Sequence, residues 1–140
     1  MGKRRCASQS YRGILHSHDD ETMTLAYLAS PYSHPEPAVE AMRALVAGDA
    51  AAWLSNQGYH PFSPIAHWHR PAKRNKLPSN ANHWITYNRA WLQRAEILIV
   101  LKMPGWKDSI GIAYEIKWAK EFGLPIKYIE TGNPFKWSEK

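Results

Sequence analysis

Short runs of hydrophobic residues predict the strands of this chain. Residues Thr24–Ala29 and 97–101 form continuous runs of mostly apolar side chains, as in strands that are buried on both faces of a sheet. Shorter runs at Tyr59–Phe62 and at residues 125–129 predict two further strands. The chain therefore contains four candidate strands, well separated along the sequence.

Hydrophobic residues spaced by three and four positions predict three helices between these strands. The first covers residues 36–57 and the second residues 83–94. The third begins at Asp108 or Ser109, either of which can cap it, and ends near residue 122. Because strands and helices alternate, we expect an α/β domain with a parallel sheet that is covered by helices.

Two segments show no hydrophobic periodicity. Residues 1–22 are polar, and they predict a flexible N-terminal tail in front of a domain of residues 23–140. Residues 63–82 are rich in proline, histidine and basic side chains. So long a stretch predicts a loop of the kind that forms lids, binding loops or disordered segments.

Histidines in and near this predicted loop raise the question of a metal site. His67 and His69, with His60, could share an ion, but neither a carboxylate nor a cysteine lies nearby in the sequence. We therefore expect no metal. In the alternative interpretation the loop is a lid, in which Trp68 stacks on a base and His67 hydrogen-bonds it; a histidine that merely packs in the loop is an equally open explanation.

Composition narrows the class of protein. The 140 residues are 44% hydrophobic, which is enough to fill one core. Eighteen Lys and Arg against twelve Asp and Glu give a net charge of +6, which favours anionic partners such as phosphates. The single cysteine, Cys6, excludes an internal disulfide, and no apolar run approaches the ~20 residues of a membrane span. We expect a cytoplasmic protein without a membrane partner.

Ligands of open parallel sheets bind beyond the carboxyl ends of the strands, where the chain order reverses. The candidate loops here follow the first and third predicted strands. The first loop reads Ser30-Pro31-Tyr32-Ser33-His34. The second covers residues 102–109, includes Trp106, and leads into a helix start whose free amides attract anions. Both loops carry more polar and aromatic groups than a simple connection requires.

Glu115 is the candidate reactive residue of the third predicted helix. It lies four positions after Gly111, where the missing side chain would let a ligand approach the helix start. The alternative is that Glu115 is a surface carboxylate that pairs with Lys117 or Lys120. Spacing alone leaves both interpretations open.

Three segments carry a family resemblance: residues 26–32 (AYLASPY), 88–96 (NRAWLQRAE) and 109–115 (SIGIAYE). Together they resemble the nucleoside 2-deoxyribosyltransferase superfamily, which includes the 2′-deoxynucleoside 5′-phosphate N-hydrolases and the uncharacterised family DUF1937. The resemblance spans residues 25–129. It implies a single flavodoxin-like or Rossmann-like three-layer domain with a four- to five-stranded parallel sheet.

The resemblance also implies roles for four residues. Glu115 takes the place of the glutamate that attacks the anomeric carbon of a deoxyribose or stabilises its oxocarbenium-like state, and Tyr27 that of the tyrosine that orients it. Ser109 stands where transferases of free nucleosides commonly carry an aspartate, and its hydroxyl can donate to a phosphate. Asn88 stands where an aspartate is usual, and asparagine cannot act as an acid.

We therefore expect cleavage of an N-glycosidic bond, or deoxyribosyl transfer, on a (deoxy)nucleoside or its 5′-monophosphate, with no cofactor. The proton would come from another group, with Asp108, His34, His67 and Tyr87 as candidates. The predicted substrate-binding residues are Ser30, Tyr32, Ser33, His67, Trp106, Asp108, Ser109 and Gly111.

Two other functions stay open at this point. The same scaffold could bind nucleotides without catalysis, and Asn88 favours that alternative. Residues 73–76 are basic and could contact nucleic acid together with Trp68, although a solvated basic loop explains them as well. The resemblance further implies a homo-oligomer in which a neighbouring subunit completes the site.

Overall fold

The computed structural model describes residues 24–79 and 81–139, and the predicted tail of residues 1–22 lies outside them. A short 3-10 helix, Trp106–Asp108, precedes the last α-helix. In chain order the strands and α-helices are β1 (Thr24–Ala29), α1 (Pro37–Asn56), β2 (Tyr59–Phe62), α2 (Pro64–Arg74), α3 (Ala81–Arg94), β3 (Ile97–Lys102), α4 (Ile110–Glu121), β4 (Ile126–Glu130) and β5 (Lys136–Ser138).

The five strands form one sheet in the order β2-β1-β3-β4-β5. The first four run parallel, with Tyr27 opposite both Phe62 of β2 and Leu98 of β3. The last strand, β5, pairs antiparallel with β4. The predicted α/β class with a largely parallel sheet is confirmed. The antiparallel edge strand was not predicted, because three residues are too few to give a strand pattern.

Helices cover both faces of the sheet, because the side chains of each central strand alternate between two cores. On one face Leu28 packs with Ala50 and Leu54 of α1. On the other face Tyr27 packs with Leu92 of α3 and with residues of α4. Helix α2 lies beside α1 and contacts it. The three-layer arrangement leaves the carboxyl ends of β1 and β3 between the two helix layers.

The predicted loop over residues 63–82 is wrong in its first half, because Pro64–Arg74 is a helix. Ser63 caps it by accepting a hydrogen bond from the backbone N–H of Ala66 at 3.0 Å, and Pro64 occupies its first turn. Ser-Pro is a typical helix start. The signal was therefore present, but histidines, basic residues and the internal Pro71 obscured the hydrophobic periodicity.

The other predicted boundaries lie within two residues of the observed ones. No helix in the described part of the chain is both long and apolar enough to cross a membrane. The cytoplasmic location stays a prediction.

Candidate active site

A cavity of about 800 Å³ opens at the carboxyl ends of β1 and β3. Strand β1 lies between β2 and β3, so the chain order reverses at this point of the sheet, as at the ligand sites of other open α/β sheets. The walls are the loop after β1, the loop that leads into α4, and the facing sides of α1, α2, α3 and α4. A nucleoside monophosphate is small enough for such a space.

Glu115 lines this cavity from the second turn of α4, and its side chain is buried, with 7% exposure. The hydroxyl of Tyr27 donates a hydrogen bond of 2.6 Å to its Oε2. The alternative of a surface carboxylate is therefore wrong. Burial raises the pKa of Glu115 to about 7, although the hydrogen bond from Tyr27 lowers it. A carboxyl group that is half ionised near neutral pH is suited to reaction chemistry.

Tyr27 supports Glu115 from below the cavity floor. It is fully buried in β1, and its ring meets the edge of Phe62 with centroids 6.3 Å apart. Burial, together with the neighbouring carboxylate, raises the pKa of the Tyr27 phenol well above its ordinary value. The phenol therefore stays protonated and acts only as a donor toward Glu115.

The start of α4 forms one end of the cavity. Ser109 caps the helix, because its Oγ accepts from the backbone N–H of Ile112 at 3.1 Å. The hydroxyl hydrogen of Ser109 stays available for a ligand. A Cβ at Gly111 would meet only Ser109 Oγ, at an ordinary 3.8 Å. The space that Gly111 leaves therefore belongs to the cavity and not to a neighbouring side chain.

Three buried side-chain atoms of the described residues have no hydrogen-bond partner: Ser30 Oγ, Trp68 Nε1 and Asn88 Oδ1. All three residues line the cavity. Buried polar atoms are nearly always paired in folded proteins, and an unpaired one costs stability. Their concentration around one cavity indicates that a ligand completes these bonds.

Comparison with known proteins places the chain in a family. A family model, described as a domain of unknown function (DUF1937), matches residues 24–131. This chain belongs to the DUF1937 family. The predicted membership is thereby confirmed. No curated protein matches the sequence.

Among solved structures, the DUF1937 chain is similar to a 2-deoxyribosyltransferase from the psychrotolerant bacterium Bacillus psychrosaccharolyticus. The two are 21% identical, with a TM-score of 0.48. The match covers 76% of this chain and 72% of that chain.

The cavity of the DUF1937 chain brings together most of the residues predicted from the sequence. Glu115 and Asn88 line it, whereas Tyr27 lies directly behind Glu115. The predicted substrate-binding residues in the lining are Ser30, Tyr32, Ser33, Asp108, Ser109 and Gly111.

Two predicted binding residues lie outside this lining. His67 packs against the rings of Phe62 and Trp68. Trp106 lies against Tyr128, with ring centroids 5.9 Å apart, and it borders a separate shallow recess beside β3. Neither side chain is placed to contact a ligand of the main cavity.

Helix α2 contributes Trp68, which the lid interpretation had proposed, and other residues that sequence reasoning did not place in the site. Trp68 and His69 line the cavity, and the hydroxyl of Tyr32 shares a 2.7 Å hydrogen bond with Nδ1 of His69. The Nζ of Lys73 lies 3.0 Å from Oε1 of Glu40 on α1. Proline and histidine in this segment suggested a loop, so the helical spacing that groups these side chains was not seen.

Arg43 is a second residue that the sequence did not single out. Its guanidinium donates to the carbonyl oxygens of Tyr32, Ser33 and Pro104, and it thereby joins the two loops of the site. Gly105 has a positive φ of 97°, and a Cβ there would lie 2.5 Å from Nη2 of Arg43. A side chain at position 105 would therefore be strained and would displace the guanidinium of Arg43.

The described part of the chain contains no group of three or more His, Cys, Asp or Glu side chains that could hold a metal ion. The cationic groups of the lining, Arg43, Lys73 and Lys76, all lie toward the α1–α2 side of the cavity. The cavity thus pairs a buried carboxylate with a cationic rim.

Proposed function

We propose that this DUF1937 protein cleaves the N-glycosidic bond of a (deoxy)nucleoside or its 5′-monophosphate, or transfers the sugar to an acceptor, through the carboxylate of Glu115. One observation carries the proposal: a buried glutamate with a pKa raised to about 7 lines a nucleotide-sized cavity and is held by Tyr27. The sequence resemblance assigns the same two residues to this reaction.

The chemistry requires a fixed negative charge beside the sugar. As the base departs, positive charge develops on the anomeric carbon and ring oxygen, and a carboxylate in a low-dielectric site stabilises it strongly. The hydroxyl of Tyr27 is hydrogen-bonded to Oε2 of Glu115. We therefore assign Oε1 as the oxygen that faces the anomeric carbon. Glu115 acts in its ionised form, and the developing positive charge favours ionisation.

We place the 5′-phosphate of a phosphorylated substrate at the start of α4. Ser109 retains a hydroxyl hydrogen to donate, and the first amides of the helix attract anions. Ser30 lies in the same lining with an unpaired hydroxyl. An aspartate at position 109 would repel the phosphate, so Ser109 favours monophosphates over free nucleosides.

A second function on the same scaffold is nucleotide binding without efficient turnover. Asn88 favours it, because the side-chain amide at the place of the usual acid cannot protonate a departing base. Restoring the acid with Asn88→Asp distinguishes the two: it raises turnover if a missing acid limits an enzyme, and it leaves a pure binding protein inactive.

The proposal is tested by incubating the protein with deoxynucleosides and their 5′-monophosphates and measuring free base by chromatography. We expect base release by the wild type, with a preference for monophosphates that Ser109→Ala reduces. Glu115→Ala should abolish release, and Glu121→Gln, on the exposed side of the same helix, should leave it unchanged. If the protein binds these compounds but releases no base from any of them, the glycosidic function is wrong and the binding function replaces it.

The cytoplasmic location and the homo-oligomeric state stay predictions. Nucleic-acid binding through residues 73–76 stays the less favoured prediction.

A further inference from the structure

Asn88 stands where the site would need an acid to protonate a departing base. It lines the cavity from α3, and its Oδ1 is buried without a partner. When a neutral base leaves a sugar, it takes the electron pair of the C1′–N bond and becomes an anion unless a proton is delivered to it. The side chain of Asn88 accepts and donates hydrogen bonds, but it has no acidic proton to give.

The other candidate proton donors are poorly placed. Of the four proposed from the sequence, only Asp108 belongs to the cavity lining, whereas His34, His67 and Tyr87 do not. Asp108 is solvent-exposed and ends the short 3-10 helix before α4. Glu40, which also lines the cavity, has both oxygens engaged, by Lys73 and by the backbone N–H of His34. His69 also lines the cavity, and its Nδ1 is already hydrogen-bonded to the hydroxyl of Tyr32. With these groups exposed or engaged, the described lining favours a base that needs no proton on departure.

The wall around Asn88 is aromatic. Trp84 lies one turn before Asn88 on α3, and its ring centroid is 5.6 Å from that of Trp68 on α2. Both indoles line the cavity, as do Tyr114 and Trp118 of α4. The faces of such rings attract cations, and so does the carboxylate of Glu115. The part of the cavity beside these rings and Glu115 is therefore suited to a flat, positively charged base, whereas Arg43, Lys73 and Lys76 line its α1–α2 side.

Two unpaired atoms of this wall complement each other. Trp68 Nε1 is a donor and Asn88 Oδ1 is an acceptor, and both are buried without a partner. Trp68 and Asn88 both adjoin Trp84, one through space and the other along the helix. A primary carboxamide offers an acceptor oxygen and a donor NH₂, so it can satisfy one unpaired donor and one unpaired acceptor.

We propose that the base released by this site is a carboxamide-bearing pyridinium cation, so that the substrate is an N-ribosylpyridinium nucleotide. The inference rests on the proposed glycosidic function and names its substrate class. The C1′–N bond breaks, both of its electrons pass to the ring nitrogen, and the positive charge of the ring is cancelled. The base leaves neutral without a proton, while Oε1 of Glu115 bonds to C1′ or stabilises it until water attacks and releases its proton to solvent.

The decisive experiment compares two substrates with the same ribose 5′-phosphate, nicotinamide mononucleotide and adenosine 5′-monophosphate, in wild type and Asn88→Asp. We expect the wild type to release nicotinamide at least about tenfold faster than adenine. Asn88→Asp should raise the ratio of adenine release to nicotinamide release by about tenfold or more, because only adenine needs the acid.

The outcomes separate the two proposals. Release of adenine at a rate equal to or above that of nicotinamide would overturn the pyridinium inference and leave the glycosidic function standing. An equal rise of both rates in Asn88→Asp would also overturn the inference. Release of neither base, with deoxynucleotides inert as well, would overturn the glycosidic function and the inference together.

Binding gives a readout that is independent of turnover. In the Glu115→Ala variant, titration calorimetry should show that Trp68→Phe weakens binding of nicotinamide mononucleotide by about fivefold, since one hydrogen bond is lost. Trp91→Phe, a matched change of a half-exposed indole on α3, should have no effect.

In the otherwise wild-type chain, reduced nicotinamide mononucleotide, which has the same carboxamide on an uncharged ring, should bind more weakly than the oxidised form. Equal affinity for the two forms would overturn the preference for a cation.

Discussion

Two walls of the cavity differ in how their side chains are held. The α4 wall, formed by Ser109 to Glu115, is fixed to the protein core: Glu115 is buried and bonded to Tyr27 of the central strand β1. The α2 wall, formed by Trp68 to Lys73, is held by polar contacts near the surface, such as the half-exposed Lys73 with Glu40. We infer that the rigid wall carries the reacting carboxylate and the phosphate-binding Ser109, whereas the outer wall contributes further contacts that recognise the ligand.

The largest effect on base release is expected from Glu115→Gln. The variant keeps an oxygen for Tyr27 but has no nucleophile and no negative charge. We expect base release to fall by about a thousandfold or more, with ligand affinity changed far less. Single-turnover chromatography and titration calorimetry check the two expectations, with Glu121→Gln as the control. A loss of affinity as large as the loss of turnover would show that the α4 wall serves recognition rather than chemistry.

The same variant should be more stable than the wild type at alkaline pH. The pKa of Glu115 rises from 4.5 to about 7 on folding, so the folded protein keeps a proton that the unfolded chain loses between these values. The free energy of unfolding of the wild type therefore falls as pH rises from about 4.5 to about 7, by about 3 kcal/mol. Glu115→Gln removes this slope. Urea unfolding at pH 5 and pH 8 measures it, and parallel pH profiles of the two proteins would contradict the buried carboxyl.

Tyr27→Phe should have the next largest effect. Its hydroxyl lowers the pKa of Glu115, so its removal should raise that pKa above about 7. We expect kcat/KM for an unphosphorylated nucleoside to fall by about tenfold at pH 7 and to recover partly by pH 8.5, as the carboxylate ionises. A pH–rate profile is the measurement, and Tyr59→Phe, at the amino end of β2, is the control. An unshifted acidic limb would show that Tyr27 does not tune Glu115.

The same contrast explains what the sequence could predict. The α4 wall was predicted because its signals are local: a capping serine, a glycine and a glutamate on one helix, after an apolar strand. Of the α2 wall only Trp68 was proposed, and His69 and Lys73 were missed because their contacts join distant segments. Tyr32 bonds His69 across 37 positions, and Lys73 bonds Glu40 across 33. The strand β5 was missed for a related reason, since its pairing with β4 and not its own composition defines it.

On the α2 wall, Tyr32→Phe should change binding and leave chemistry intact. The variant removes the 2.7 Å bond between the tyrosine hydroxyl and His69 and so loosens the loop after β1 against α2. We expect KM to rise by about threefold to tenfold, because about 1 kcal/mol of ordering is lost, with kcat unchanged. Steady-state kinetics tests this split. A fall in kcat without a change in KM would place Tyr32 among the catalytic groups and remove the contrast between the walls.

The smallest expected effect belongs to Lys73→Met. The ion pair with Glu40 is half exposed on the lysine side, so its loss should lower the free energy of unfolding by at most about 0.5 kcal/mol.

Lys73 also contributes positive charge to the cavity rim, which attracts a phosphorylated ligand over a distance that salt shortens. We expect affinity for a monophosphate to fall by about threefold at low ionic strength and by less at high ionic strength, with affinity for the matching nucleoside unchanged. Titrations of both ligands at two salt concentrations provide the measurement. A salt-independent loss of affinity shared by both ligands would mean that Lys73 holds α2 in place rather than attracting phosphate. The proposed difference between the two walls would then be lost.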